Sequence, residues 1–193
     1  MRQTPTPGTP SPTAQPFLSD LKTLRERARR QIEEGVVTST YLVDAGATIE
    51  VPQTVLASEL VCVLRYTQHA ITATGVSSEG VKAEFAEHAR EEQGHAMVVA
   101  ERINQLGGTP DFNPKGLAGR SASEYGAGVS LAEMISENLV AERIAIDHYR
   151  ELARLFGDRD PTTRVMIEQI LAVEEQHASV MNDLLLTHGG AKA

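Results

Sequence analysis

Residues 89–98 read AREEQGHAMV, and this short stretch decides how the rest of the chain is interpreted. Its composition, with Ala, Glu, Arg and Met in excess, favours a helix. Glu92 and His95 are three residues apart and so lie on one face of that helix. Val99 and Ile103 continue the same face with apolar side chains, which indicates that the face is buried. A carboxylate and an imidazole on a buried face need partners elsewhere in the chain.

Four long helical patterns follow the N-terminal part of the sequence, and an all-α fold is therefore predicted. They are placed at residues 51–74, 79–106, 131–156 and 161–186. Pro52 is tolerable in the first turn of the first bundle helix. Ser130 and Glu133 form a capping box before the third helix. Asp160 and Pro161 are typical of an N-cap and a first helical position.

The connections between these helices predict the topology. Short turns join the first helix to the second and the third to the fourth, so each pair should form an antiparallel hairpin. About 22 residues separate the second helix from the third, enough to run the length of a bundle. The second and third helices would then be parallel. The prediction is a four-helix bundle with one long crossover.

The N-terminal part of the chain differs in composition from the bundle. Residues 1–16 hold five of the nine prolines and are interpreted as a disordered Pro/Thr-rich tail. Residues 17–34 carry apolar residues at helical spacing, and Gly35 is a plausible helix stop. Residues 17–50 are therefore assigned to an extra N-terminal helix and a connection. Residues 51–193 are assigned to the bundle domain with a short C-terminal tail.

Composition limits the classes of function. The net charge of −8 argues against a general nucleic-acid binder, so DNA is an unlikely partner. Cys62 is the only cysteine, which excludes an intrachain disulfide and fits a reducing cytoplasm. The sequence has neither an apolar run long enough to span a membrane nor the apolar segment of a signal peptide. We therefore expect a cytoplasmic protein that does not associate with membranes.

The two hairpins repeat one pattern of polar residues. The first helix carries Glu59 and Tyr66 seven residues apart, and the third helix repeats that spacing with Glu142 and Tyr149. The second and fourth helices each carry one Glu-x-x-His motif. These motifs are Glu92 with His95, and Glu174 with His177. The second set repeats the first at an offset of 82 or 83 residues, which indicates an internally repeated site.

The same spacing predicts that the four glutamates meet. In an antiparallel hairpin, residues equidistant from the turn lie level with each other. The midpoint of 59 and 92 falls near Gly75, and the midpoint of 142 and 174 falls beside Gly157, both at predicted turns. Four buried carboxylates without cations would cost several kcal/mol each. Two divalent cations would neutralise them, and Glu with His suits iron, manganese or zinc. One Glu from each of two helices and Glu-x-x-His from each of the others is the carboxylate-bridged di-iron pattern.

On these residues the sequence resembles the ferritin-like superfamily, and most of all its bacterioferritin and Dps-like branch, over about residues 51–187. The resemblance implies a ferritin-like bundle with an intrasubunit ferroxidase centre that binds two Fe per subunit, with Mn or Zn possible in a purified form. Its implied metal ligands are Glu59, Glu92, His95, Glu142, Glu174 and His177, with Glu92 and Glu174 bridging. Tyr66 matches the tyrosine that the family keeps beside its metals, and it is the predicted catalytic residue.

The sequence also departs from bacterioferritin. Gln93 stands where bacterioferritin has a haem-ligating Met, so no haem is predicted. After the fourth helix the chain ends in THGGAKA, without room for a fifth helix. That favours a Dps-like homo-oligomeric shell of about 12 subunits over one of about 24. The predicted architecture is a bacterioferritin-type centre in a Dps-sized cage.

The predicted function is that of a ferroxidase and iron-storage protein. Fe(II) would be oxidised by O2 or H2O2 at the di-iron site, and ferric mineral would be stored in the cage, which protects against oxidative stress. The net negative charge of the protein would attract Fe(II). One alternative is a di-metal oxidoreductase that stores nothing, such as a peroxidase or a manganese-catalase-like enzyme. Another is DNA binding and protection, which the net charge and the nearly uncharged tail disfavour.

Other polar residues near the motifs are open to simpler interpretations. Tyr149 either bonds to the metal ligands or is a buried tyrosine satisfied elsewhere. His88 lies one turn before Glu92 and is either an accessory ligand or a packing residue. Cys62 is interpreted as a small buried filler rather than a redox group. Glu91 and Glu175 adjoin the motif glutamates and are expected on solvated faces. The remaining histidines are predicted at the surface or in packing: His69, His148 and His188.

Overall fold

A computed structural model describes residues 19–35, 37–39, 41, 45–75 and 78–188. Within these ranges the secondary structure is entirely helical, which confirms the predicted all-α class. The helices are α1 (Leu21–Arg30), α2 (Ala45–Thr72), α3 (Ser78–Gln105), α4 (Leu117–Arg120), α5 (Leu131–Phe156) and α6 (Pro161–His188). The tail predicted at residues 1–16 lies outside the described residues. No helix in the described ranges is long and apolar enough to cross a membrane.

The chain divides into two compact units, residues 1–35 and 36–193. The helix α1 belongs to the first unit and is capped by Asp20, whose carboxylate accepts the backbone N–H groups of Lys22 and Thr23. It ends at Arg30, four residues before the predicted end, and none of its residues is buried. Five of its ten residues are Lys or Arg and one is Glu, so its charge is opposite in sign to that of the whole chain.

The four long helices of the second unit match the predicted bundle, with one difference at the start of α2. That helix begins at Ala45, six residues before the predicted start, and Pro52 lies within it rather than in its first turn. Proline lacks an N–H donor, and inside a helix it costs about 3 kcal/mol. Burial offsets that cost, because Thr48 is only 1% exposed and Ile49 packs against the core.

The other helix boundaries follow the predicted capping residues. The capping box of Ser130 and Glu133 is formed at the start of α5. The carboxylate of Asp160 accepts the N–H of Thr163 at 3.0 Å at the start of α6. Gly157 follows α5 with a φ of 46°, a backbone conformation that favours glycine.

Contacts between α2 and α5, which belong to different hairpins, establish the topology. Tyr66 on α2 bonds to Glu142 on α5, and Tyr149 on α5 bonds to Glu59 on α2, so these helices are antiparallel. The hairpin of α2 and α3 is antiparallel as well, which leaves α3 and α5 parallel. The predicted long crossover between them is therefore confirmed.

The crossover runs along α2, and hydrogen bonds fix it there from Gln53 to His69. Gln53 donates to the carbonyl of Thr109, and the Ser58 hydroxyl accepts the N–H of Ala122. Farther along, the side chains of Arg65 and His69 contact backbone carbonyls of the same segment. The short helix α4, which the sequence did not predict, buries Leu117 against α2 residues Ala57 and Val61. The core of the bundle has two main apolar clusters.

Candidate metal centre

The six predicted ligands converge at the middle of the bundle. Glu59 comes from α2 and Glu142 from α5, while α3 and α6 each supply a Glu-x-x-His motif. The four glutamates and His177 are each 1% exposed. The side chain of His95 is 13% exposed, so it lies nearest to solvent. The three-residue step on α3 and α6 places the Glu and His of each motif on one helix face, so both side chains of each motif point inward.

The six side chains form two overlapping donor sets. The Nδ1 atom of His95 lies 3.4 Å from Glu59, 3.5 Å from Glu92 and 3.0 Å from Glu174. One donor atom from each of these four residues lies within 4.8 Å of the other three.

The second set is built around His177. Its Nδ1 atom lies 3.4 Å from Glu92, 3.9 Å from Glu142 and 3.4 Å from Glu174. The four residues again have one donor atom each within 4.8 Å of one another. Glu92 and Glu174 belong to both sets, whereas Glu59 and Glu142 each belong to only one of these two.

Six of the donor atoms at the centre have no hydrogen-bond partner among the described residues. They are Glu59 Oε2, Glu92 Oε1, both carboxylate oxygens of Glu174, and the Nδ1 atoms of His95 and His177. Buried polar atoms are normally hydrogen-bonded, so a cluster of unbonded ones needs an explanation. All six atoms can offer a lone pair to a cation at the centre, and their residue types suit a pair of transition-metal ions.

Burial and mutual repulsion divide the four carboxyl groups into two classes. Burial and the charge of Glu92 raise the pKa of Glu59 to about 8. Burial, together with Glu92 and Glu174, raises the pKa of Glu142 well above its usual range. For Glu92 and Glu174 the nearby imidazoles outweigh burial and lower the pKa. The two unshared carboxyl groups therefore hold a proton more readily than the two shared ones.

The two histidines of the centre favour their protonated, positively charged form. Burial opposes their protonation, but the surrounding carboxylates outweigh it and raise the pKa of His95 to about 12 and that of His177 to about 11. Two protonated imidazoles and two protonated carboxyl groups balance the four negative charges of the deprotonated ligand set. Two divalent cations supply the same four positive charges, so the centre can exchange protons for metal ions.

Each tyrosine in the repeat supports a glutamate of the other hairpin. The Tyr66 hydroxyl donates to Glu142 Oε1, and the Tyr149 hydroxyl donates to Glu59 Oε1. The sequence spacing suggested only that each tyrosine lies two turns from the glutamate on its own helix. The two hydrogen bonds leave the second oxygen of each glutamate facing the centre, so each tyrosine orients one unshared carboxyl group.

Glu91 is exposed, as predicted for a solvated face, but one of its carboxylate oxygens contacts a predicted metal ligand. Its side chain is 44% exposed, and its Oε2 atom lies 2.7 Å from His177 Nε2. That contact directs Nδ1 of the same ring toward the glutamates. Glu175 does lie at the surface, where it pairs with Arg150 at 2.6 Å. Adjacent residues on a helix differ in direction by about 100°. The sequence alone therefore does not tell which residue beside a motif glutamate can still reach the metal centre.

His88 is buried beside the second donor set. Its Nδ1 atom lies 3.1 Å from the Tyr66 hydroxyl, and its ring stacks on that of His177 with centroids 3.9 Å apart. Burial and the charge of His177 lower the pKa of His88 to about 4, so its ring is neutral. The contacts with Tyr66 and His177 suit a packing residue, and the neutral ring also has a nitrogen lone pair that a metal ion could bind.

A buried arginine next to the centre was missed by the sequence reasoning. Arg65 is completely buried and donates to Asn138 Oδ1 at 2.9 Å, to the Glu124 carbonyl at 3.0 Å and to Cys62 Sγ at 3.3 Å. Cys62 is buried as predicted, and burial raises the pKa of its thiol. These bonds tie α2, α5 and the crossover together behind Tyr66. The apolar residues around Arg65 gave no signal of a buried cation.

The three remaining histidines lie away from the donor atoms. His69 is fully buried, where its Nε2–H donates to the Ala127 carbonyl and its Nδ1 accepts from Asn138. His148 is half-buried, with its ring 5.7 Å from that of Tyr149. His188 is the last residue of α6. The predicted surface or packing positions thus agree with the structure.

Similar proteins share this arrangement of helices. A nutrient stress-induced DNA-binding protein from a Nostoc species is 30% identical over 151 residues, which cover 74% of this chain and 81% of that protein. The solved structure of a dodecameric thioferritin, the bacterioferritin-related protein of Bacteroides fragilis, gives a TM-score of 0.72 at 27% identity and covers 86% of this chain and 94% of its own. Bacterioferritin from Desulfovibrio desulfuricans, at 22% identity, shares the fold with a TM-score of 0.64 and covers 73% of this chain and 79% of its own.

The sequence pattern of the Ferritin-like domain matches residues 53–187, which include all six predicted ligands. That match spans well over half of the 193 residues. The protein therefore belongs to the family of ferritin-like domains.

Proposed function

We propose that the protein is a ferroxidase that oxidises Fe(II) with O2 or H2O2 and stores the ferric product inside a shell of identical subunits. Membership of the ferritin-like family implies the general type of function, iron storage with ferroxidase chemistry. The observation that carries the proposal is the pair of donor sets that share Glu92 and Glu174. Two ions bound side by side can each give one electron to a single oxidant, which accepts two.

In this proposal the six residues divide between two Fe(II) ions that bind as substrate. Glu59 and His95 hold one ion, and Glu142 and His177 hold the other. Glu92 and Glu174 bridge them, because their carboxylates belong to both donor sets. Four carboxylates and two divalent ions balance in charge, which favours two irons per subunit over one. Zn or Mn fits the same donor types and is an expected occupant of purified protein.

The surrounding residues hold this geometry and keep water out. Tyr66 and Tyr149 each fix one unshared glutamate, and Glu91 fixes the His177 ring. We assign Tyr66 a catalytic role because its hydroxyl contacts the ligand Glu142 directly and also lies beside His88. Fixed, dry ligand geometry of this kind lowers the reorganisation that accompanies loss of an electron from each ion.

The shell is proposed to contain 12 subunits, in support of which the similar thioferritin of Bacteroides fragilis is dodecameric. The net charge of −8 attracts Fe(II) to such a shell. The same charge weighs against DNA as a partner, although a relative from Nostoc carries the name DNA-binding protein. We propose a cytoplasmic location, where the single thiol of Cys62 stays reduced. Haem is not part of the proposal, because Gln93 offers no axial thioether.

The deciding experiment loads purified protein with Fe(II) in air and follows iron and protein together by size exclusion. Iron far in excess of two per subunit, co-eluting with a large shell, is expected. Iron that stops near two per subunit on a small oligomer would instead indicate a di-metal oxidoreductase that stores nothing. The double variant Glu92→Gln/Glu174→Gln should lose rapid oxidation and loading. Glu175→Gln, which changes an adjacent but surface-exposed carboxylate, is the matched control.

A further inference from the structure

A third cluster of donor atoms overlaps the second donor set. A ring nitrogen of His88, a carboxylate oxygen of Glu142 and a ring nitrogen of His177 lie within 4.8 Å of one another. His88 is 3% exposed and sits on α3, one turn before Glu92. Its ring is nearly parallel to that of His177, with an angle of 18° between the ring planes. The second half of the centre thus has an additional imidazole within reach.

The internal repeat shows that this imidazole has no counterpart in the first half. His88 precedes Glu92 by four residues, and the residue that precedes Glu174 by four is Ile170. Ile170 is 3% exposed and belongs to an apolar cluster. The described residues therefore offer one nitrogen donor beside Glu59 and two beside Glu142.

The existing hydrogen bond of His88 does not prevent it from binding a metal ion. Its Nδ1 atom contacts the Tyr66 hydroxyl, but that hydroxyl also donates to Glu142 and keeps this partner if the imidazole moves. Two nitrogens on one ion, each at about 2.1 Å, are at most about 4.2 Å apart. The donor atoms of the cluster now lie within 4.8 Å of one another. The two rings are stacked, so the His88 side chain must turn out of the stack as well as move closer before both imidazoles can bind one ion.

We propose that His88 is an additional ligand for the ion held by Glu142 and His177, so that the two metal sites are chemically unequal. The inference rests on the proposed two-metal centre and adds a donor to one side of it. Two imidazoles on one ion favour Fe(II), Co(II) or Zn(II) over Mn(II), which prefers oxygen ligands. The site that contains His88 is therefore the tighter one for those ions and fills first.

Titration of the metal-free protein with Co(II) tests this proposal, because the visible absorption of Co(II) reports the ligands around each ion. The wild type should bind two Co(II) per subunit in two steps of unequal affinity. His88→Phe keeps a stacking ring but removes the nitrogens. It should weaken the tighter step at least about tenfold, since even the loss of an outer-shell partner costs about ten- to a hundredfold. The absorption of that step should change as well.

Matched variants separate ligation from an indirect effect. His148→Phe makes the same substitution at a half-buried histidine outside the donor clusters of the described residues, and it should match the wild type. If His88 acted only through Tyr66, its substitution would have no further effect in a Tyr66→Phe background, and that result would overturn the proposal. So would unchanged affinities and absorption in His88→Phe. His88→Gln, which can still bond to Tyr66, serves as a second variant if Phe is not accommodated.

A wild type that binds no Co(II) would overturn the two-metal centre itself, and this inference with it. If the His88 variants bind two Co(II) with unchanged affinities, only the proposed role of His88 is contradicted. The two proposals therefore fail in distinguishable ways.

Discussion

Substitution of Glu91 by Gln should weaken the binding of one metal ion and leave the other nearly unchanged. Glu91 Oε2 lies 2.7 Å from His177 Nε2, so it orients the ring and makes its other nitrogen a better donor. Loss of such an outer-shell carboxylate typically costs about ten- to a hundredfold in metal affinity, or about 1.4–2.8 kcal/mol. Because the Glu91 side chain is 44% exposed, water screens its charge, and the expected loss is at the low end, about tenfold.

Competition for Zn(II) between the metal-free protein and a coloured chelator measures this loss for each ion. Glu175→Gln is the matched control, since it makes the same change in charge beside the other motif glutamate. Its partner is Arg150 at the surface, so its affinities should stay within about twofold of wild type. Equal affinities in the two variants would refute the argument that the Glu91 contact supports His177. An equal loss at both ions would show a general effect of charge instead.

Three other outcomes are expected. Burial and a neighbouring carboxylate raise the pKa of Glu59 to about 8, and at His95 three carboxylates outweigh burial and raise it to about 12. Both groups hold protons at pH 7 and release them to solvent when an ion binds. The affinity for Zn(II) should therefore rise with pH, and a pH-stat titration should record the release of more than one proton per bound ion. Asp160→Asn keeps a good N-cap but weakens the bond to Arg102, which is 3.0 Å long. Urea unfolding at pH 7 should show that the free energy of unfolding falls by about 2 kcal/mol. The control Asp158→Asn, at an exposed position, should lower it by less than about 0.5 kcal/mol. Hydrogen bonds outweigh burial and lower the pKa of Asp160 in the folded state. Its contribution to stability is therefore complete above the unfolded-state pKa of about 3.9 and is lost as the pH falls through the lower folded-state pKa, where the two variants should converge. Finally, Zn(II) at about 100 times its Kd should stabilise the fold by about 2.7 kcal/mol per site, and an unchanged Tm in calorimetry would contradict metal binding at the centre.

The convergence of the six polar side chains was predictable because it follows from helical period alone. Equal spacing in two hairpins, with turns at the midpoints, leaves one level at which the glutamates can meet. The four long helices and their crossover follow from capping residues and connection lengths. The early start of α2 was missed because Pro52 suggested a first turn, whereas burial of Thr48 and Ile49 stabilises a helix that continues through the proline.

Contacts across the bundle were not predictable in the same way. The bonds from Tyr66 to Glu142 and from Tyr149 to Glu59 depend on which helices of the two hairpins are neighbours, and spacing within one helix carries no such information. Arg65 was missed for a related reason. Its partners are an amide, a backbone carbonyl and a thiol, which come from different parts of the chain. No local sequence pattern therefore indicates a buried cation.

The exchange of tyrosine–glutamate bonds between the two hairpins has a consequence for how such a centre can arise. Each hairpin carries half of the ligands, together with the tyrosine that completes the other half. If a single ancestral hairpin paired with a copy of itself, the pair would already contain every ligand type and both supporting hydrogen bonds. Duplication and fusion would then add no new chemistry, but they would free the two halves to diverge. His88 and Ile170 hold matching positions in the two halves, one polar and one apolar, which is the kind of difference that such divergence would produce.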